Sequence, residues 1–374
     1  WVYGNELVTD RRTKALPPGS LAVLQDHAQN VLGLFAVNPN SKIFARKLSD
    51  NVDSLIGPDW FAQKVTKALV LREQLYSQPY YRLIHAEADY LPGLIIDRFE
   101  DLLVIQPNAA WVDQLMDELV EALKNVLAPT SIVINGAGRA RVLEGLDESR
   151  CMAFGDMPTA AIEVPMNGAI YFADVAEGQK TGIFYDQRPN HHFVQKLSAG
   201  KKVLDVFSHV GGFGLAAMAN GATEVTCVDS SQPALDLAVR GASATQADVP
   251  FEIIKGDAFD VMINMASQGK IFDIVVCDPP AFAPQKASRE VGLRAYERVA
   301  RLASALVADG GYLALCSCSH AADLERFRAS CIRGIGRAGR HAQLIHTGGA
   351  GPDHPHHMAL AESSYLKTLV FRMQ

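Results

Sequence analysis

No apolar run in this chain approaches the ~20 residues that a membrane-crossing helix needs, so a membrane-embedded protein is not expected. The opening residues lack a secretory pattern, and a start at Trp1 leads us to expect a few further residues ahead of it. Cysteine is sparse: the six (Cys151, Cys227, Cys277, Cys316, Cys318 and Cys331) are scattered, mostly in apolar runs. That excludes a disulfide-stapled scaffold and fits reduced thiols in a cytoplasmic protein. Cys316 and Cys318 have a single spacer and no second pair, so no zinc site is expected. A positive net charge is missing too, since the chain carries −6, which weakly opposes nucleic-acid binding. Locally the balance reverses. Residues 1–72 hold nine Lys/Arg against six Asp/Glu, and residues 284–301 hold five against two. Without context, such clusters are solvated faces more often than binding surfaces.

What is present is an ordinary globular composition, 48% hydrophobic and 20% charged, at a length of 374 residues that suits two or three domains. Residues 1–72 read as short strands (21–24 and 31–37) and turns, followed by a helix near 60–76: a small β-barrel-like module. Residues 73–185 read as a small α+β domain. Its strands are expected at 81–85, 94–97, 102–106 and 131–135, with a helix over 111–127 and a hairpin turning at Asn167-Gly168. From about 186 to 374, strand and helix alternate, which predicts an α/β, Rossmann-like parallel sheet.

Ligands of open α/β sheets bind beyond the carboxyl ends of the strands. The residues falling there are Asp205, Gly211, Asp229, Asp257, Asp278 and Cys318. The glycine turn, from Asp205 through Phe207 and Ser208 to Gly211, Gly212 and Gly214, lacks the dinucleotide spacing G-x-G-x-x-G. A turn of this kind is expected to aim amides at a ligand. Asp229 ends the next strand, where a carboxylate accepts from both ribose hydroxyls, with Ser230 beside it. Asp257 and Ala258, one strand on, are placed to hold an adenine. Together these residues look like a class I S-adenosylmethionine (SAM) site, with NAD as the alternative for such a sheet. Taken singly, Gly212 also suits helix packing and Asp229 suits a helix cap.

Asp278-Pro279-Pro280-Ala281-Phe282 and Ser317-Cys318-Ser319 are expected at adjacent strand ends. Carbon 5 of cytosine is too weak a nucleophile to take a methyl group unaided. A thiolate adding at carbon 6 turns it into an enamine carbon. The reaction needs one exposed cysteine, an acid at the N3 edge and a surface that holds the base out of its stack. Cys318, Asp278 and Phe282 supply these, with Pro279 and Pro280 stiffening the loop. The competing view of Cys318 is a small buried hydrophobe. Methylation at nitrogen uses a similar acid-Pro-Pro motif without a thiol, so Cys318 separates the two chemistries.

With these residues laid out, the chain resembles, over essentially its whole length, the bacterial large-subunit rRNA (cytosine carbon 5) methyltransferases that carry an N-terminal PUA domain. The likeness rests on Trp1-Val2-Tyr3, Asn38-Pro39, Ser41 and Arg46, and on the run from Glu87 to Asp97-Arg98 with Glu144-Gly145-Leu146. It continues in Gly178–Arg188, the glycine turn, the two strand-end motifs, Asp353-His354-Pro355 and Tyr365-Leu366-Lys367. The resemblance implies a PUA domain, a central α+β domain, a class I methyltransferase domain, SAM as cofactor and RNA, large-subunit rRNA, as partner. It also implies Cys318 as nucleophile, Asp278 as motif acid and Asp229 as ribose ligand. Gln187 and Arg188 are placed by it near cofactor or base, and Lys286 is expected on the substrate side. It leaves a homodimer open and makes His354, His356 and His357 a structural loop, so no metal is expected. His209-Val210 and Asn135-Gly136 depart from the family pattern. Two other functions remain: an RNA-binding assembly factor with an idle catalytic fold, and a SAM enzyme acting on another RNA atom or a small molecule.

Overall fold

Burial alternates residue by residue along Ser20–Gln25, so one face of that strand is turned to a core and the other to water. The computed structural model describes residues 1–176, 182–245 and 248–374. Its first sheet comprises β1 (Val2–Tyr3), β2 (Ser20–Gln25), β3 (Val31–Val37) and β4 (Ile43–Ser49), antiparallel in the order β1-β4-β3-β2. Phe35, Val37, Phe44 and Ala45 form one buried cluster on it. α1 (Pro58–Leu75) begins with Pro at its first turn, where a missing N–H costs nothing, and buries Phe61, Val65, Ala68 and Arg72 at helical spacing. A second sheet, β5 (Tyr80–His85), β6 (Leu94–Phe99), β7 (Leu102–Pro107), β8 (Ser131–Asn135) and β9 (Arg150–Phe154), runs in sequence order. The helix expected over 111–127 is two helices, α2 (Ala110–Gln114) and α3 (Met116–Leu127), broken at Leu115. The break lets Trp111 bury its ring and donate its indole N–H to Pro92 O at 2.9 Å, while α3 turns Leu119, Ala122 and Leu123 inward. A short α4 (Arg139–Leu143) follows β8.

These elements form one compact unit of Trp1–Ile162, Asp174–Gly182 and Pro352–His357. Buried charge ties it together. Arg46 donates to Glu87 at 2.8 Å and to Glu144 at 2.9 Å, and Glu144 also accepts from Asn38 and Ser41. Arg72, fully buried, makes a bidentate pair with Asp89 and donates to Arg82 O and Asp353 O. Arg82 pairs with Asp97 at 2.6 and 3.0 Å, and its backbone N–H donates to Asp353. The N-terminal and central motif residues therefore act here as structural ion pairs. Removing one partner of such a pair leaves a buried charge uncompensated. Asn135, at the unusual Asn135-Gly136 site, is buried and accepts the Ala137 N–H at a turn.

His85 sits in this unit with its ring 4.8 Å from that of His354. Burial first, and then electrostatic interaction with His354, Arg82 and Arg72, push its pKa down to about 2, Asp353 opposing. A base whose folded pKa is lowered stays neutral when folded while the unfolded chain takes up a proton below about 6.5. Stability should therefore fall below pH 6.5, by about 1.4 kcal/mol per pH unit from this group. Trp1, Trp60 and Trp111 are the only tryptophans and all lie in this unit, so their fluorescence reports its unfolding. Urea titrations at pH 7 and 5.5 are expected to show the loss in wild type and a smaller one in His85→Gln. Equal losses would clear His85 of the effect.

The second unit comprises Glu163–Ala173, Ile183–Gly351 and Met358–Gln374. A hairpin of β10 (Ile162–Met166) and β11 (Ala169–Ala173) turns at Asn167 and Gly168, with φ of 53° and 75°, the left-handed pair that this tight turn demands. α5 (Arg188–Gln195) precedes alternating strands and helices. These are β12 (Lys202–Val206), α6 (Gly212–Ala219), β13 (Glu224–Asp229), α7 (Gln232–Thr245), β14 (Phe251–Lys255), α8 (Ala258–Ser267), β15 (Phe272–Cys277), α9 (Arg289–Ser304), β16 (Val307–Ser317), α10 (Leu324–Arg337), β17 (Ala342–Gly348) and β18 (Lys367–Met373). The sheet order is β14-β13-β12-β15-β16-β18-β17. The first five strands are parallel, and β18 inserts antiparallel between β16 and β17. Val203, Leu204 and Val206 are fully buried, as expected of a central strand with both faces covered. The order reverses between β12 and β15, which opens a ligand crevice above their carboxyl ends.

Candidate active site

The glycine turn after β12 satisfies its own amides. Gly211 N–H and Gly212 N–H donate to Ser208 O at 2.8 and 3.3 Å, and Phe213 N–H and Gly214 N–H donate to Asp205 Oδ2 at 3.1 and 2.8 Å. This corrects the expectation that the turn aims amides at a ligand. The glycines are there for space. Gly211 has φ of +83°, a Cβ on Gly212 would lie 2.8 Å from His191 Nε2, and one on Gly214 would lie 2.8 Å from Cys227 Sγ. What the turn offers instead is a carboxylate. Asp205 Oδ1 is buried without a partner among the described residues. Burial raises its pKa to about 7, against the lowering pull of the Gly214 and Phe213 amides, with Asp229 adding to the rise.

Asp229, at the end of β13, accepts the N–H of His209 and of Ser231, each at 2.9 Å, which leaves lone pairs on both oxygens for hydroxyl donors. Ser230 beside it is exposed. His209, at the unusual turn position, has φ of 50°, and its ring meets Phe184 edge-on at 5.1 Å. Asp257 caps α8 through Oδ1, accepting from Phe259 N–H and Asp260 N–H, and Ala258 behind it is buried. The crevice is thus acidic, with Asp205, Asp229, Asp257 and Asp278 at four strand ends. A pyrophosphate would be repelled there. A nucleoside with a ribose diol and a cationic side chain fits.

β15 and β16 pair in parallel with Cys277 opposite Leu315, so Asp278 and Cys318 leave adjacent strand ends as expected. Asp278 Oδ2 accepts from Gln187 Nε2 at 2.8 Å, and Asn190 Nδ2 holds Gln187 Oε1 at 2.7 Å. Asn190 and the pair of Asp186 with Tyr365 (2.5 Å) were not legible as site residues; their roles depend on contacts of more than ninety residues in sequence. Arg188 lies over the Tyr185 ring at 5.2 Å. Gly178, Gln179, Lys180 and Thr181 of the same motif lie outside the described residues.

Phe282 joins an aromatic cluster, its ring 6.5 Å from Phe207, 6.2 Å from Phe259 and 5.0 Å from Tyr296. Pro279 is buried and Pro280 exposed, while Lys286 is exposed on a short 3-10 turn, Lys286–Ser288. Ser319 locks the two loops together. Its hydroxyl accepts the Ala283 N–H at 2.9 Å and bonds the Tyr296 hydroxyl at 2.7 Å. Buried Lys367 donates to Ser319 O and Ala322 O at 2.7 and 2.8 Å, directly behind Cys318. Burial lowers the Lys367 pKa to about 8, while Cys318 and Asp323 act to raise it. Lys367 belongs to the motif Tyr365-Leu366-Lys367 noted in the sequence, which by itself assigned it no role. Of the five cysteines in this unit, Cys318 alone is not buried. Burial raises the thiol pKa of Cys227, Cys277, Cys316 and Cys331, which makes them inert.

Sheet order, glycine turn and acidic crevice define the class of S-adenosylmethionine-dependent methyltransferases. Residues 83–372 match the family described as S-adenosylmethionine-dependent methyltransferase, and residues 1–50 match a PUA-like domain. A chain from Streptococcus mutans described as a SAM-dependent methyltransferase shares the fold, with a TM-score of 0.82 over 95% of this chain and 92% of that one, at 21% identity. A protein of Aeromonas salmonicida named Ribosomal RNA large subunit methyltransferase I is 35% identical over 89% of this chain and 85% of its own. One of Deinococcus radiodurans, named Ribosomal RNA large subunit methyltransferase, is 33% identical over 100% of this chain and 93% of its own. The chain belongs to the family of these ribosomal RNA large subunit methyltransferases.

Proposed function

We propose that this protein methylates carbon 5 of a cytosine in large-subunit rRNA through a covalent bond from Cys318 to carbon 6. The single observation that carries this is the placing of the one half-open thiol of the unit at the strand end beside the Asp278 loop. SAM, when bound, supplies an electrophilic methyl group on a sulfonium. The ribose hydroxyls go to Asp229, the adenine to Asp257 and Ala258, and the cationic side chain to Asp205 Oδ1. Phe207, Ser208, Gly211, Gly212 and Ser230 frame that site. Phe282 stacks on the target base, with Pro279 and Pro280 fixing its loop, and Gln187 aims the Asp278 carboxyl group at the N3 edge.

The electron balance closes within this arrangement. The Cys318 thiolate donates a pair to carbon 6, and the displaced ring electrons collect at carbon 5 and N3, where Asp278 stabilises them. Carbon 5 takes the methyl group, the broken S–CH3 bond leaving its electron pair on what becomes a neutral thioether, and then loses its proton to a solvent base. The C6–S bond breaks, its electrons return to sulfur and the ring double bond is restored. The Lys367 ammonium, cationic below about pH 8, lies in the electrostatic reach of Cys318. The PUA-like module suits an RNA partner and would serve no purpose on a small molecule.

The test is methyl transfer from labelled SAM to unmodified large-subunit rRNA, with nucleoside analysis. Label in 5-methylcytosine is expected. Label in another nucleoside moves the chemistry to another atom, and SAM binding without transfer to RNA or subunit particles supports an idle factor. Asp205 adds a pH signature. Its carboxyl becomes anionic as pH rises through about 7, so binding that requires the anion should weaken about tenfold per pH unit below that. Calorimetry of SAM binding from pH 5.5 to 8.5 should show this in wild type and a flat profile in Asp205→Asn. A flat wild-type profile would remove Asp205 from the cationic end of the ligand.

A further inference from the structure

α9 and α10 together carry eight arginines against three glutamates, in a chain whose net charge is −6. They cross at Gly334, where a Cβ would come within 2.4 Å of Glu297 O and 2.6 Å of Ala300 Cβ. Only a glycine allows that approach, and it brings Arg337 opposite Arg294, Arg298 and Arg301, which share one face of α9 at spacings of four and three. With Glu297 these four arginines line an open cleft of about 520 Å³. Glu297 is consumed by Arg333, at 3.0 Å, and Arg337. No carboxylate among the described residues pairs with Arg294, Arg298 or Arg301, all of them exposed. Three like charges on one helical face repel, and no carboxylate among the described residues neutralises them.

Arg298 links the cleft to the aromatic cluster around Phe282. The Arg298 guanidinium lies 4.5 Å above the Phe259 ring, and that ring is 6.2 Å from Phe282. Gly292 of α9 backs the same loop, since a Cβ there would meet Phe282 C and O at 2.7 Å. Guanidinium forks match phosphate oxygens two at a time, which an ammonium does not.

We propose that this arginine cleft binds the phosphodiester backbone of the RNA running on from the target nucleotide. The inference rests on the RNA reading above and assigns that substrate a surface outside the PUA-like module. The test compares wild type with Arg294→Gln/Arg298→Gln/Arg301→Gln in binding a large-subunit rRNA fragment across a salt series. Each lost phosphate contact should flatten the slope of log affinity against log salt by about 0.7–0.9, a total of about 2–3, with affinity at physiological salt falling about 10- to 100-fold. SAM affinity should stay at the wild-type value, and Arg294→Glu alone should weaken RNA binding in the same direction. A triple variant that binds SAM normally and keeps the wild-type RNA affinity and salt slope overturns the cleft while leaving the RNA reading intact. A wild type with no salt-dependent RNA binding overturns both.

Discussion

Cys318→Ala is expected to abolish formation of 5-methylcytosine, by about 10⁴-fold or more, while SAM affinity stays within about threefold of wild type. The side chain lies outside the β sheet and is not part of the buried core, so its removal leaves no large cavity. The strand-end loops are fixed by other groups, the Ser319 hydroxyl and the Lys367 ammonium, which the substitution leaves in place. A substrate carrying fluorine at carbon 5 of the target cytosine sharpens the test. With no proton to remove, the C6–S bond cannot break, so wild type should migrate as a protein–RNA adduct under denaturing conditions and the alanine variant should not. Survival of transfer in Cys318→Ala would refute the thiol mechanism. Loss of SAM binding would make the residue structural.

Asp278→Asn is expected to lower the single-turnover rate by about 10²–10⁴-fold. The aspartate is held as an acceptor by Gln187 Nε2–H, itself oriented by Asn190. An asparagine can keep the Gln187 bond only by turning its oxygen to it, which leaves an amide NH2 where the base needs a carboxyl group. Gln187→Ala should reproduce part of the loss by freeing the carboxyl group to rotate. Gln187→Glu, which sets two carboxyl groups 2.8 Å apart, should give an acid-shifted rate optimum, since one must hold a proton. Rates in Asp278→Asn equal to wild type would leave N3 without a protein acid and place the stabilisation elsewhere.

The parallel core was legible because short apolar runs such as Ile274-Val275-Val276-Cys277 and Leu313-Ala314-Leu315-Cys316 alternate with helical stretches and stop at polar residues, a local pattern. The Asn167-Gly168 hairpin was legible for the same reason. α10 and the β17–β18 pair were not, because β18 is defined by the strands on either side of it rather than by its own composition. The glycine turn was found, but its amides were assigned to the ligand. Only the coordinates of Ser208 O and Asp205 Oδ2 reveal that they are already spent. Lys367 stood in a recognised motif, but its role was not legible, because a buried cation behind Cys318 depends on backbone carbonyls 45 and 48 residues away.

Residues 352–357 belong to the first unit although almost the whole second unit precedes them. Arg72 and Arg82, buried early in the chain, wait for Asp353 as an acceptor. On a ribosome, where the amino-terminal part of a chain emerges first, these arginines are made some 270 or more residues ahead of that partner. The first unit therefore cannot complete its interior until almost all of the second unit has been synthesised. A chain ending between β16 and Asp353 would leave both units unfinished rather than one finished and one missing.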